Sequence, residues 1–264
     1  MSRVGISTAC FYPECVYDSL KKVANAHTPV TEVFINSFCE MTSTKLRELS
    51  ETAKCGGTEI ISFHPFLSAA EHMFFFSGYE PRVEDGIELY KRFFEAAAVL
   101  GAKYFIFHGE KMQSRDSAPS QLPNEKLLNV YSKLVSEAKA AGVMFTQENV
   151  TMFRSENTEL IALLKKEFPE MGFALDIKQV LRAGKDIYHM IETMGDRIVQ
   201  VHLNNYKDGA CTLPLGGSAD VLQIREKLRG FGYTGDYCIE VYRSNFSYDA
   251  ELFCAREEVS KLFE

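Results

Sequence analysis

Six residues able to bind a metal or move a proton recur along the chain, each at the end of a short apolar run: His64, His108, Glu148, Asp176, His202 and Glu240. The runs read EIISFH (59–64), KYFIFH (103–108), VMFTQE (143–148), GFALD (172–176), IVQVH (198–202) and YCIE (237–240). A single polar residue at a strand end says little, because strand ends are wet. Six in succession, all His, Asp or Glu, favour convergence on one point over a solvated polar rim. Glu148 and Glu240 carry the argument furthest, since an unpaired ionised carboxylate deep in an apolar strand costs on the order of several kcal/mol. A metal ion or a bound proton would remove that cost. His202, between Val201 and Leu203, is also expected to point inward. Each of the others has a plainer alternative. His64 precedes Pro65 and could bond its own loop, His108-Gly109-Glu110 could be a turn, and Asp176 could cap a short helix after it.

The elements that must position these residues alternate. Strands are expected at 4–8, 31–35, 59–64, 103–108, 143–150, 172–176, 198–202 and 237–240. Helices are expected at 18–26, 42–55, 83–100, 124–141, 157–168, 186–194, 220–230 and 248–263, from apolar residues at helical spacing. Asp18 and Thr42 or Ser43 are the expected caps, and Gly56-Gly57 and Gly101 the stops. Residues 65–79 form a long connection carrying Met73-Phe74-Phe75-Phe76, which could be a lid, a subunit contact or a buried anchor. Eight βα repeats predict a parallel sheet covered by helices, and eight close better as a (β/α)8 TIM barrel than as an open sheet. In such a barrel the C-terminal strand ends ring one mouth, where the site belongs.

Bulk properties agree. At 264 residues, with 46% hydrophobic and 25% charged, the chain suits one barrel domain spanning 1–264. The formal net charge of −7 argues against a broad nucleic-acid or membrane-binding face. No GxGxxG follows the first strand and no GxxxxGK[ST] occurs, so dinucleotide and P-loop sites are not expected. Seven cysteines without a CxxC pair read as reduced thiols, and no signal pattern or membrane-length apolar run is present. A cytoplasmic protein is expected, with assembly into a homo-oligomer left open.

QEN at 147–149, LD at 175–176, VHLNN at 201–205, LPLGG at 213–217 and IEV at 239–241 carry a family resemblance over nearly the whole chain. The sequence resembles the xylose isomerase-like barrel superfamily, which joins sugar isomerases and epimerases to the endonuclease IV branch of DNA-repair enzymes. For the sugar branch the resemblance implies one divalent ion held by Glu148, Asp176, His202 and Glu240, with the two glutamates as acid and base. Three carboxylates and an imidazole form a hard, mostly oxygen site suited to Mn²⁺ or Mg²⁺, with Co²⁺ or Zn²⁺ as alternatives. Such an ion acidifies the C–H beside a chelated carbonyl and stabilises an enediolate. A small carbohydrate is the implied partner, with His64 and His108 as substrate contacts.

The departures bear on the choice of reaction. Gln179 stands where many relatives have His, and Asn205 where they commonly have Asp. Residues 203–220 contain no histidine, so the third metal of the repair branch lacks its ligands. His64 and His108 match positions used by that branch, which keeps a two-metal site bridged by Glu148 as the competing arrangement. A phosphodiesterase of the endonuclease IV type and a dehydratase or lyase on the same scaffold are the alternative activities. Arg154, Lys178, Lys207 and Arg243 follow the ligand strands closely. Arg243 is the candidate for an acidic group on the substrate, with plain surface charge as the alternative for all four.

Overall fold

The computed structural model describes residues 2–112 and 122–264; most of the polar loop expected before residue 124 lies outside them. Eight parallel strands close into a barrel: β1 (Val4–Ser7), β2 (Val30–Ile35), β3 (Glu59–Pro65), β4 (Tyr104–Phe107), β5 (Met144–Glu148), β6 (Gly172–Asp176), β7 (Ile198–Leu203) and β10 (Tyr237–Ile239). Each pairs with its neighbours in sequence order, and β10 closes the ring onto β1 through Val4–Tyr237 and Ile6–Ile239. This is a (β/α)8 barrel.

Around it run α1 (Val16–Asn25), α2 (Ser43–Gly56), α4 (Glu80–Leu100), α5 (Asn124–Ala140), α6 (Thr158–Glu167), α8 (Ile187–Met194), α9 (Val221–Gly230) and α10 (Asp249–Phe263). The apolar stripe of α4, with Val83, Ile87, Tyr90, Phe94 and Ala97 buried, lies on β3 and β4. There Phe63, Phe94, Phe105 and Phe145 pack ring against ring, at 4.6 Å for the Phe94–Phe105 pair. This stiff wall fixes the strands that carry His64 and His108.

Two elements were not expected from the sequence, and a third, the short helix after Asp176, was only an alternative there. The connection after β3 contains α3 (Ser68–Phe75), which buries Phe75 and Phe76 and leaves Met73 exposed, so this cluster anchors the loop rather than covering the mouth. Asp176 caps α7 (Ile177–Arg182). A hairpin, β8 (Asn205–Lys207) with β9 (Ala210–Thr212), follows β7. Its turn holds Asp208 and Gly209 at φ 51° and 83°, the paired positive φ of a tight two-residue hairpin. One cap also differs. α1 starts at Val16, and Asp18 lies in its first turn accepting from Cys15 Sγ. Thr42 caps α2 and Gly57 ends it with φ 70°, as the sequence predicts.

Candidate metal centre

The motif amides are splints between strand ends. Gln147 donates to the carbonyls of Phe107 and His108 at 3.1 and 2.8 Å and accepts from Tyr131, tying β5 to β4. Asn149 makes a reciprocal pair with the Asp176 backbone, both bonds 2.9 Å, and ties β5 to β6. Asn204 donates to Asp176 Oδ1 and to the Glu240 carbonyl, at 3.2 and 3.0 Å. Asn205 clamps the loop beyond β9 through the carbonyls of Pro214 and Ala219. Gly217 is required beside it, because a Cβ there would lie 2.2 Å from the Asn205 side chain. Glu148 is therefore held by its flanking residues on a backbone braced from both sides.

Donor atoms of Glu148, Asp176, His202 and Glu240 lie within 4.8 Å of one another. From His202 Nδ1 the distances are 3.2 Å to Glu148 Oε1, 3.6 Å to Glu240 Oε2 and 3.8 Å to Asp176 Oδ2. Asp176 also performs the capping role open to it in the sequence, since Oδ1 accepts from Gln179 N at 3.0 Å. Its Oδ2 faces the cluster, where it accepts from Lys178 Nζ at 2.6 Å. A second group, His64, His108 and Glu148, meets the same distance limit. Glu148 Oε2 lies 3.4 Å from His108 Nε2 and 3.8 Å from His64 Nε2, so its two oxygens face two donor sets.

All three imidazoles are held from behind. His202 Nε2 meets Glu32 Oε2 at 3.1 Å, His108 Nδ1 meets Glu71 Oε1 at 3.3 Å, and His64 Nδ1 meets the Pro65 carbonyl at 3.2 Å. Each is thereby turned so that its other nitrogen faces Glu148, the arrangement that fixes ring orientation in metal sites. Glu32 and Glu71 were not foreseen. Glu32, fully buried inside the barrel, also accepts from Ser7, Ser62 and Gln200. Glu71, on α3, also accepts from Tyr90 and from the backbone of His108 and Gly109. An acid within the strand pattern TEVFI was the available signal for Glu32; Glu71, in a stretch read as a connection, gave none.

Charge settles unevenly over the cluster. Burial alone would raise the Glu148 carboxyl, yet the charge on His202 and hydrogen bonds from His202 and His64 hold it well below the usual range. Glu32 is brought to about 2 against its burial, chiefly by His202. His202 rises well above its ordinary value although burial opposes this, because Glu32, Glu240 and Glu148 surround it. Asp176 is raised by burial. Glu240 is lowered against burial by Lys178 and His202. Three carboxylates and one backed imidazole nitrogen at these separations suit a hard divalent cation.

Beside Glu240 opens a cavity of about 380 Å³, walled by Tyr12, Phe34, Phe66 and Tyr242 with Asn36 and Lys178. Arg243 is not among its lining residues; its guanidinium donates to the Phe246 carbonyl at 2.8 Å and packs on the Phe246 ring. Arg154 is engaged with Glu110 and the Leu122 carbonyl. Among the described residues no helix is long and apolar enough to cross a membrane.

A barrel with this donor ring at its C-terminal mouth defines the class, and sequence comparison gives the family. The chain belongs to the xylose isomerase-like TIM barrel family, whose model matches residues 31–261. It is 23% identical over 251 residues to an uncharacterised protein of Methanocaldococcus jannaschii, covering 90% of this chain and 83% of that one. The fold is similar to that of a D-tagatose 3-epimerase-like protein, with a TM-score of 0.80, 19% identity and coverage of 99% and 96% of the two chains. It is equally similar to D-psicose 3-epimerase with D-tagatose from Clostridium cellulolyticum H10, with a TM-score of 0.80, 16% identity and 98% of each chain covered.

Proposed function

We propose that the protein is a divalent-metal-dependent isomerase or epimerase of a keto-sugar or related polyol. The observation that carries this reading is the convergence of Glu148, Asp176, His202 and Glu240 beside a cavity of about 380 Å³ walled by aromatic rings. That volume is of monosaccharide scale, and aromatic faces suit the C–H faces of a sugar. The sugar 3-epimerases among the structures with this fold support the same class of substrate.

Mn²⁺ or Mg²⁺ held by the four donors supplies Lewis acidity toward a carbonyl. The chain supplies the rest. Glu148 is ionised and buried, its Oε1 and Oε2 aimed by His202 and His108, so it is suited to take a proton from carbon. Glu240, 12% exposed at the cavity edge, is suited to return one. Return from the opposite face gives an epimer, and return to the neighbouring carbon gives the isomer. His64 and His108, with Nε2 toward Glu148, would be the donors to substrate oxygens. The test is exchange of a keto-sugar α-proton in deuterated water with Mn²⁺. Exchange that depends on the metal and on Glu148 is expected; no exchange across a panel of keto-sugars, sugar phosphates and inososes would sink the reading.

A second reading has its own observation. Glu148 is shared between two donor sets, so His64 and His108 could hold a second ion, as in a repair-type phosphodiesterase. Two bound ions per chain with nicking of an abasic duplex would replace the isomerase reading. Loss of water from the substrate would instead make the protein a dehydratase using the same proton abstraction.

A further inference from the structure

Lys178 stands where a four-donor metal site has no need of a cation. It lies on α7, two residues beyond Asp176, and its backbone N–H donates to Asn204 Oδ1 at 2.6 Å. The ammonium is 2.6 Å from Asp176 Oδ2 and 2.6 Å from Glu240 Oε2, with the side chain only 6% exposed. Those are the same oxygens that face His202 Nδ1. The ring of Tyr242 flanks the ammonium at 5.7 Å. One cation therefore already occupies two members of the donor set.

Without it, Glu148, Asp176 and Glu240 would crowd three carboxylates into one buried pocket, and like charges at such range repel strongly. With it, Asp176 and Glu240 are drawn together. A divalent ion that uses these carboxylates must share them with the ammonium or push it toward the cavity, which Lys178 also lines. Sharing sets positive charges side by side, and displacement breaks two short charge-assisted hydrogen bonds. Either way affinity is lost. We propose that Lys178 is an internal counter-ion that holds Asp176 and Glu240 in place in the metal-free protein and keeps binding of the divalent ion weak and exchangeable. The inference rests on the metal-site reading above.

The experiment is calorimetric titration of the chelator-treated full chain with Mn²⁺ alone, paired with thermal melts of the metal-free proteins. Lys178→Met removes the charge at similar length, Lys178→Gln keeps a donor without the charge, and Lys178→Arg keeps the charge. Removing one positive charge in contact with two ligands should tighten Mn²⁺ binding by about tenfold or more in both neutral variants. It should also lower the melting temperature without metal. Lys178→Arg should stay near wild type on both counts. If a neutral variant folds only with Mn²⁺ present, that too supports the counter-ion role. Unchanged or weaker Mn²⁺ binding in folded Lys178→Met and Lys178→Gln would overturn the inference while leaving the metal site intact. Absence of Mn²⁺ binding in every variant, wild type included, would overturn the metal site itself and this inference with it.

Discussion

The barrel carries a charge network at each end, and the two differ in kind. At the start of the strands Arg3 bonds Asp236 at 2.6 Å and Glu59 at 2.7 Å, and Lys103 bonds Glu59 at 2.7 Å. The two cations balance the two acids, and Arg3 and Glu59 are 37% and 39% exposed. At the mouth Glu148, Asp176 and His202 are at most 3% exposed, and with Glu240 the acids outnumber Lys178. Water screens the first network and leaves it worth little. The second is largely buried, and its three carboxylates exceed the charges of Lys178 and His202, which leaves the pocket short of positive charge. Similar side chains are a surface tie in one place and a candidate cation site in the other, and each substitution below separates the two.

Glu148→Gln should have the largest effect. Turnover should fall on the order of 10³-fold, as expected for loss of a positioned base. Metal content should hold at one ion per chain, because Asp176, His202 and Glu240 remain. Elemental analysis beside the proton-exchange assay reads both. Loss of an ion from a starting stoichiometry of two would show instead that Glu148 bridges His64 and His108 to the other donors.

The pair His108–Glu71 gives the next effect, seen as pH dependence. Burial opposes charge on His108, but Glu71 outweighs it and raises the imidazole from 6.5 to about 9. A raised folded-state value adds stability that is complete below about 6.5 and is lost as pH rises through about 9, on the order of 3 kcal/mol at most. Denaturant melts of the metal-free protein between pH 6 and pH 10 should show that decline. Glu71→Gln should flatten it, and an unchanged slope in that variant would assign the decline elsewhere.

Glu32→Gln should come third. Glu32 holds His202 Nε2 and is outside the four-donor set, so the variant should bind Mn²⁺ about 10–100-fold more weakly while the barrel stays folded. Arg243→Ala should be smaller still. If Arg243 reaches the substrate, KM for an acidic sugar should rise about tenfold, one charge-assisted hydrogen bond, with a neutral analogue untouched. Equal effects on both sugars would tie Arg243 to its turn, where it holds the Phe246 carbonyl.

What was legible in the sequence follows the same division. The strand ends were readable because a parallel barrel strand is buried on both sides, so an acid or imidazole closing an apolar run stands out. The amides of QEN and LNN were visible as motif letters, but their work of tying Phe107, Asp176 and Glu240 together exists only once the strands are adjacent. Glu71 could not be read at all, since it reaches His108 from an unforeseen helix 37 residues earlier in the chain. The hairpin was readable from Asp208-Gly209 alone, a two-residue signal lost within a stretch expected to be loop. Local pattern reports where a side chain leaves the core. Which side chain it meets depends on the closed ring.

Arg3→Ala should do least, and that is its use. The substitution removes both side-chain bonds to Asp236 and the one to Glu59, leaving the backbone bond to Asp236, and so breaks more hydrogen bonds than Glu32→Gln disturbs at His202. Counted by contacts it should be the worse lesion. Counted by exposure it should cost no more than about 1 kcal/mol, because water replaces the lost partners and Lys103 still neutralises Glu59. Mn²⁺ affinity and turnover should not change. Denaturant melts of the variant at low and high salt decide between the two counts: a small loss that shrinks with salt fits a screened surface tie. A loss of several kcal/mol, or any change in metal affinity, would show that the two ends of the barrel are coupled through the strands and that exposure is the wrong measure of what these networks do.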